Sequence, residues 1–143
     1  MKLLISEILQ KAHNAKTKAE KIQILQQNNS AALRMIFIIN YDESIVSLMP
    51  EGEPPFTKNE APIGTEHTNL IHESRLLHHF FKGGSDIPSI RRERMFIQML
   101  EGLHPDEADV LIKAKDKVLG KRFKVTKSCV QEAFPEINWG NRS

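Results

Sequence analysis

Residues 85–120 read SDIPSIRRERMFIQMLEGLHPDEADVLIKAKDKVLG, and the spacing within this stretch decides the fold class. Asp86-Ile87-Pro88 predicts a helix start with proline near the first position, where a missing amide costs nothing. The helix runs to Glu101, with Gly102 past its end. Ile90, Met95, Phe96, Ile97, Met99 and Leu100 sweep most of its circumference, and only Arg91, Arg94, Gln98 and Glu101 form a clean polar strip. A helix apolar around so much of its surface is expected to be buried on several sides, at the centre of the fold. Arg92 and Glu93 fall inside the apolar arc, so a structural ion pair is expected there, with an interface role as the alternative. His104-Pro105-Asp106-Glu107 opens a second helix with acids in its first turn, where the dipole favours them. Asp109 and Lys113 follow at i,i+4 in the favourable order. Lys115 is placed to lay its stem over the core, and Gly120 is expected to close the helix.

Outward from this stretch the pattern stays helical. Before it, a helix is predicted over Thr68 to Lys82, ended by Gly83-Gly84. Its wheel gathers Leu70, Leu76, Leu77, Phe80 and Phe81 on one arc, and His72, Arg75, His79 and Lys82 on the other. After it, Lys121 to Val125 reads as a short extended piece, and Thr126 caps a last helix through Cys129, Val130 and Phe134 that Pro135 stops. The start predicts three short helices: one over Ser6 to Asn14 with Ile5, Ile8, Leu9 and Ala12 on a face, one behind a Thr17–Glu20 capping box, and one capped by Ser30. In the third, Phe37-Ile38-Ile39 is β-branched enough that a strand is the alternative.

Between these halves, Pro50, Gly52, Pro54, Pro55 and Pro62 exclude regular structure. This crossing is expected to be a connector, with Pro54-Pro55-Phe56 as a docking arm in the alternative reading. The whole reads as all-α, one domain of six or seven short helices over 1–143: a helical segment over 1–49, a crossing over 50–67, a helical segment over 68–135 and a tail over 136–143 that carries Trp139.

Several function classes fall away. The apolar run after Met1 is only Leu3 to Ile5, too short for a secretory core, and Met35 to Ile39 is too short to span a bilayer. No membrane contact and a reducing cytoplasm are therefore expected. With Cys129 alone, an intrachain disulfide and a four-cysteine zinc site are excluded. No phosphate-cradling glycine loop and no nucleophile elbow occurs. Cys129 is expected to be a small buried apolar residue. His67, His72, His78 and His79 cluster, but His72 and His79 are seven apart, so a solvated face is expected instead of a metal site. No catalytic residue and no cofactor is expected.

Charge is the uneven feature. The total is +2, yet Lys113 to Lys127 holds seven bases and one acid, a local +6 against −4 elsewhere. Lys113, Lys117, Lys121, Arg122, Lys124 and Lys127, with Arg91 and Arg94, are the candidate macromolecule-binding residues, since clustered cations suit phosphates or an acidic protein surface. Phe123 is the only aromatic among them, which argues against a stacking platform for single strands.

Three segments carry a family resemblance: Arg91 to Pro105 followed by Glu107-Ala108 and Lys115-Asp116-Lys117; Met49-Pro50-Glu51-Gly52-Glu53-Pro54-Pro55-Phe56; and Val130-Gln131-Glu132-Ala133-Phe134-Pro135. Together they resemble small uncharacterised proteins of T-even-like tailed phages, including those of marine cyanobacteria. The similarity spans most of the chain, from Ala15-Lys16-Thr17-Lys18 to Pro135. It implies a phage product at work in the cytoplasm of an infected bacterium, with no catalytic motif to carry over. A non-enzymatic accessory protein that binds host RNA polymerase is the function it suggests. Direct nucleic-acid binding in phage replication and a virion or assembly role, with the proline arm as the joint, are the alternatives.

Overall fold

Ile5, Ile8, Leu9 and Ala12 recur at helical spacing, and all four are buried along one side of α1 (Ile5–Asn14). Thr17 caps α2 (Lys18–Gln27), its hydroxyl accepting the Glu20 amide at 3.2 Å. The Glu20 carboxylate reaches the amide of Lys16, one residue before the one a capping box uses. Ser30 likewise accepts the Leu33 amide and opens α3 (Ala31–Tyr41). Phe37-Ile38-Ile39 is therefore helical: Leu33, Ile36, Phe37 and Asn40 share a buried face, and that packing outweighs the β preference of the branched residues.

The computed structural model describes residues 3–60 and 68–140. Pro62 and His67, singled out above, lie outside the described residues. From Pro50 to Glu60 the crossing has no helix or strand, but it is bound to its own domain. Lys115 Nζ donates to the carbonyls of Pro50 and Gly52 at 2.8 and 3.2 Å, and the Gly52 amide donates to Asp116 Oδ2. Further on, the Thr57 amide donates to Glu101 Oε2 at 2.8 Å. These bonds hold the chain on either side of Pro54-Pro55-Phe56, and Phe56 packs against the core.

The single helix expected over Thr68 to Lys82 is two pieces. α4 (Leu70–Glu73) lasts one turn and tightens into a 3-10 helix over Ser74–Phe80. At three residues per turn Leu77 and Phe80 stack on one edge, and both are buried. Phe81 leaves in extended geometry and forms an isolated antiparallel bridge with Ser47. Gly84 then passes so close to His78 that a Cβ would lie 1.9 Å from its carbonyl oxygen, which requires glycine there.

α5 (Ser89–Gly102) is not the centre of the fold. It buries only Phe96, Met99 and Leu100, and Ile90 is 72 % exposed. Among the described residues neither Arg92 nor Glu93 forms the expected ion pair. Arg92 donates to the carbonyls of His79 and Ile87, at 2.8 and 3.0 Å, and Glu93 is exposed. The centre is α6 (Pro105–Lys115), with Glu107, Ala108, Val110, Leu111, Ile112, Ala114 and Lys115 all buried. It packs on α1, α3 and α5.

Gly120 does not close α6. The Lys117 amide donates to the Ala114 carbonyl and the Val118 amide to that of Lys113, a Schellman motif. Its left-handed residue is Lys117, at φ 60°, where glycine is usual. Leu119–Lys121 then forms a 3-10 turn that takes the first residue of the expected extended piece, and Arg122 and Phe123 turn the chain before it runs on to Thr126. Thr126 caps α7 (Lys127–Ala133) by accepting the Cys129 amide at 3.2 Å, as its position predicts. Among the described residues the chain is all-helical, seven α-helices and two 3-10 turns, and one core cluster draws side chains from both halves. No helix among them is long and apolar enough to cross a membrane.

Candidate macromolecule-binding site

The eight predicted binding residues are held in different ways. Lys113 is held by Asp109 at 2.8 Å, the i,i+4 pair its spacing predicts. Lys117 turns its ammonium inward, donating to the carbonyls of Ile39 and Asp42 at 2.7 and 2.8 Å. It thereby satisfies the C-terminal end of α3, and desolvation lowers its pKa, partly offset by Asp42 and Glu43. Lys115, expected to snorkel, is instead buried and paired with Asp116 at 2.6 Å. Arg91 and Arg94 are exposed on α5. The inner half of the basic run is structural.

The outer half gains a companion that the sequence reading missed. Lys121, Arg122, Lys124 and Lys127 are exposed and lie beside the turn from α1 into α2. Three contacts fix that neighbourhood. The Lys124 amide donates to His13 Nδ1 at 2.9 Å, Arg122 reaches Gln10 Oε1 at 3.4 Å, and Lys18 Nζ donates to Ser128 Oγ at 2.7 Å. Phe123, buried between the cations, sets its ring edge-on to His13. Lys11, Lys16, Lys18 and Lys21 therefore join the same face. Together, residues 11–21 and 121–132 hold eight Lys and Arg against Glu20 and Glu132, a net +6. The signal was visible as four lysines and one acid in eleven residues.

Not every cation on this face is equally available. Lys18 is paired with Glu132 at 2.5 Å, and Lys21 donates to the carbonyls of Ala12 and His13, closing α1. Lys127 lies over the Trp139 ring, 5.1 Å from its centroid, and Arg122 over Phe123 at 4.6 Å. Both contacts hold a charge outward at a fixed place. Lys11, Lys16, Lys121 and Lys124 form no ion pair among the described residues. A groove of about 320 Å3 adjoins the face, lined by Arg122 together with Glu7, Asp106 and Asp109.

Other reactive groups are occupied or ordinary. Cys129 is buried, and burial raises its thiol pKa against the opposing pull of Lys18 and Lys21, so it stays a packed thiol. Burial, with Cys129 second, also raises the pKa of Tyr41, whose hydroxyl donates to the Val125 carbonyl. His79 is lowered by desolvation, then by His78, Arg91 and Arg92, and its Nδ1 meets Ser85 Oγ at 2.9 Å. Among the described residues no three of His, Cys, Asp and Glu gather as a metal site would need.

Residues 8–121 match a family described as a family of unknown function (DUF6433). The match takes in Lys11 to Lys21 and ends at Lys121, so Arg122, Lys124 and Lys127 follow it. No curated protein and no solved structure matches the chain.

Proposed function

The chain belongs to this family of unknown function (DUF6433), and we propose that it works without catalysis, binding a macromolecular partner through the basic face of α1, α2 and the Lys121–Lys127 segment. One observation carries the reading: two basic segments about a hundred residues apart are folded onto one face with a net charge of +6. Like charges gathered at the surface repel one another, and an anionic partner relieves that cost while raising the rate of encounter. The partner we propose is an acidic surface of the host RNA polymerase. The resemblance to T-even-like phage proteins supports that setting, in the cytoplasm of the infected bacterium.

Direct contact with duplex nucleic acid is the second reading. Lys11, Lys16, Lys121 and Lys124 favour it, since flexible cations without ion pairs suit phosphates. A virion or assembly role, with the proline-rich segment as the joint, is the third reading; within that segment Pro50 and Gly52 are bonded to Lys115 and Asp116 of the same chain.

A tagged pull-down from infected cells, treated with nuclease, tests the proposal. Polymerase subunits are expected on the tag and should be lost with K121E/K124E. Recovery of polymerase only without nuclease supports the duplex reading, and recovery of capsid proteins alone contradicts both.

A further inference from the structure

A second surface carries the opposite charge. The proline-rich segment and α5 enclose an apolar cleft of about 380 Å3, floored by Met49, Phe96 and Ile97 and rimmed by Glu51, Glu53 and Glu93. Its wall is fixed before any ligand arrives. Lys115 holds the carbonyls of Pro50 and Gly52, Asp116 accepts the Gly52 amide, and Glu101 accepts that of Thr57. The carboxylates that fasten the wall are thus already used. Glu51, Glu53 and Glu93 are exposed, and among the described residues none of their carboxylates has an ion pair or hydrogen bond. On the helical wheel Ile90 stands one turn from Glu93 and two from Ile97. At 72 % exposed it prolongs the apolar floor towards the start of α5.

We propose that this cleft binds a basic, extended peptide segment of a partner protein, an apolar side chain on the floor and flanking lysines or arginines on the three glutamates. Charge complementarity chooses the occupant. An apolar floor alone accepts any greasy segment, but three uncompensated carboxylates reject acidic ones and draw cations. Of the two arginines next to Glu93, Arg92 is bonded to the carbonyls of His79 and Ile87, and the helical turn sets Arg94 on the other side of the Ile90–Ile97 line from Glu93. A rigid wall suits an extended ligand, since little ordering cost falls on the protein. This surface is separate from the basic face and stands or falls independently of it.

The experiment uses the full chain and a fluorescein-labelled peptide of alternating leucine and arginine, read by anisotropy at about 50 mM and 200 mM salt, near the Debye lengths where exposed charges still interact. Binding is expected, weakened at least tenfold in E51Q/E53Q/E93Q and also in Ile90→Ser, both changes at exposed positions. A matching leucine–aspartate peptide is expected not to bind. Equal binding of the arginine peptide to wild type and the triple glutamine variant overturns the proposal, as does no binding at all. Sedimentation of the protein alone gives a further check: self-association abolished by E51Q/E53Q/E93Q would make a second copy the occupant and overturn it.

Discussion

Glu107 on α6 accepts the backbone amide of Ile5, 102 residues earlier, on Oε2 at 2.8 Å. Its other oxygen, Oε1, accepts the amide of Leu70 at 2.9 Å. Ile5 and Leu70 are the first residues of α1 and α4, so one fully buried carboxylate serves two helix N-termini. Each helix start offers amides without intrahelical partners and a positive dipole end, and the carboxylate answers both.

Glu107→Ala should cost about 3 kcal/mol or more, because it strands two buried amides that were bound to a charge. Glu107→Gln should cost less but not nothing, since an amide has one acceptor oxygen. Urea unfolding read by circular dichroism checks both, and equal stability of Glu107→Ala and wild type would contradict the role.

Lys117 combines a left-handed backbone with an ammonium that closes α3. Lys117→Ala keeps the backbone cost and loses the ammonium, so it should destabilise by about 1–2 kcal/mol. Lys117→Gly relieves the backbone and should lose less. The reverse order in thermal denaturation would contradict the backbone cost, and equal stability of Lys117→Ala and wild type would mean that the ammonium contributes nothing.

Lys115→Met should free the wall of the crossing as well as destabilise the core. It leaves Asp116 without its 2.6 Å partner and two carbonyls without a donor. About 3 kcal/mol is the expected scale for breaking a buried pair. Limited proteolysis should then cut within residues 50–60 faster than in wild type, and an unchanged cutting rate would contradict the latch.

His79 should titrate below the ordinary histidine range, because desolvation and then His78, Arg91 and Arg92 disfavour its charged form. With the folded pKa depressed, its contribution to stability is present above the unfolded value near 6.5 and is lost as pH falls through the folded value. NMR titration of the imidazole checks this, and a midpoint at or above 6.5 would contradict it.

What could be read from the residues was mostly local. Thr17, Ser30 and Thr126 cap within three residues of themselves, and Lys113 meets Asp109 within four, so neighbours in the chain determine these contacts. The errors share a cause. The roles of Glu107 and Lys117 were hidden because the backbone groups they bind lie 37 to 102 residues away, and the carbonyls that Lys115 binds, besides its neighbour Asp116, lie 63 and 65 residues away. Apolar residues on three sides of α5 suggested a central helix, but periodicity cannot say which sides find a neighbour. The same blindness hid half of the basic face. Lys11 to Lys21 and Lys121 to Lys127 are each modest, and tertiary contacts join them: the packing of α2 on α7 and the bonds of residues 122–124 to α1.

The basic face is tested most directly by titrating labelled protein with purified host RNA polymerase at two salt concentrations, comparing wild type with K121E/K124E. Both lysines are exposed and neither forms an ion pair among the described residues, so the variant should remain folded. Binding by wild type is expected, weaker at higher salt and at least tenfold weaker in the variant, about 1.4 kcal/mol. Equal affinity of the two proteins, or no affinity in wild type, would contradict the claim that this face binds the polymerase.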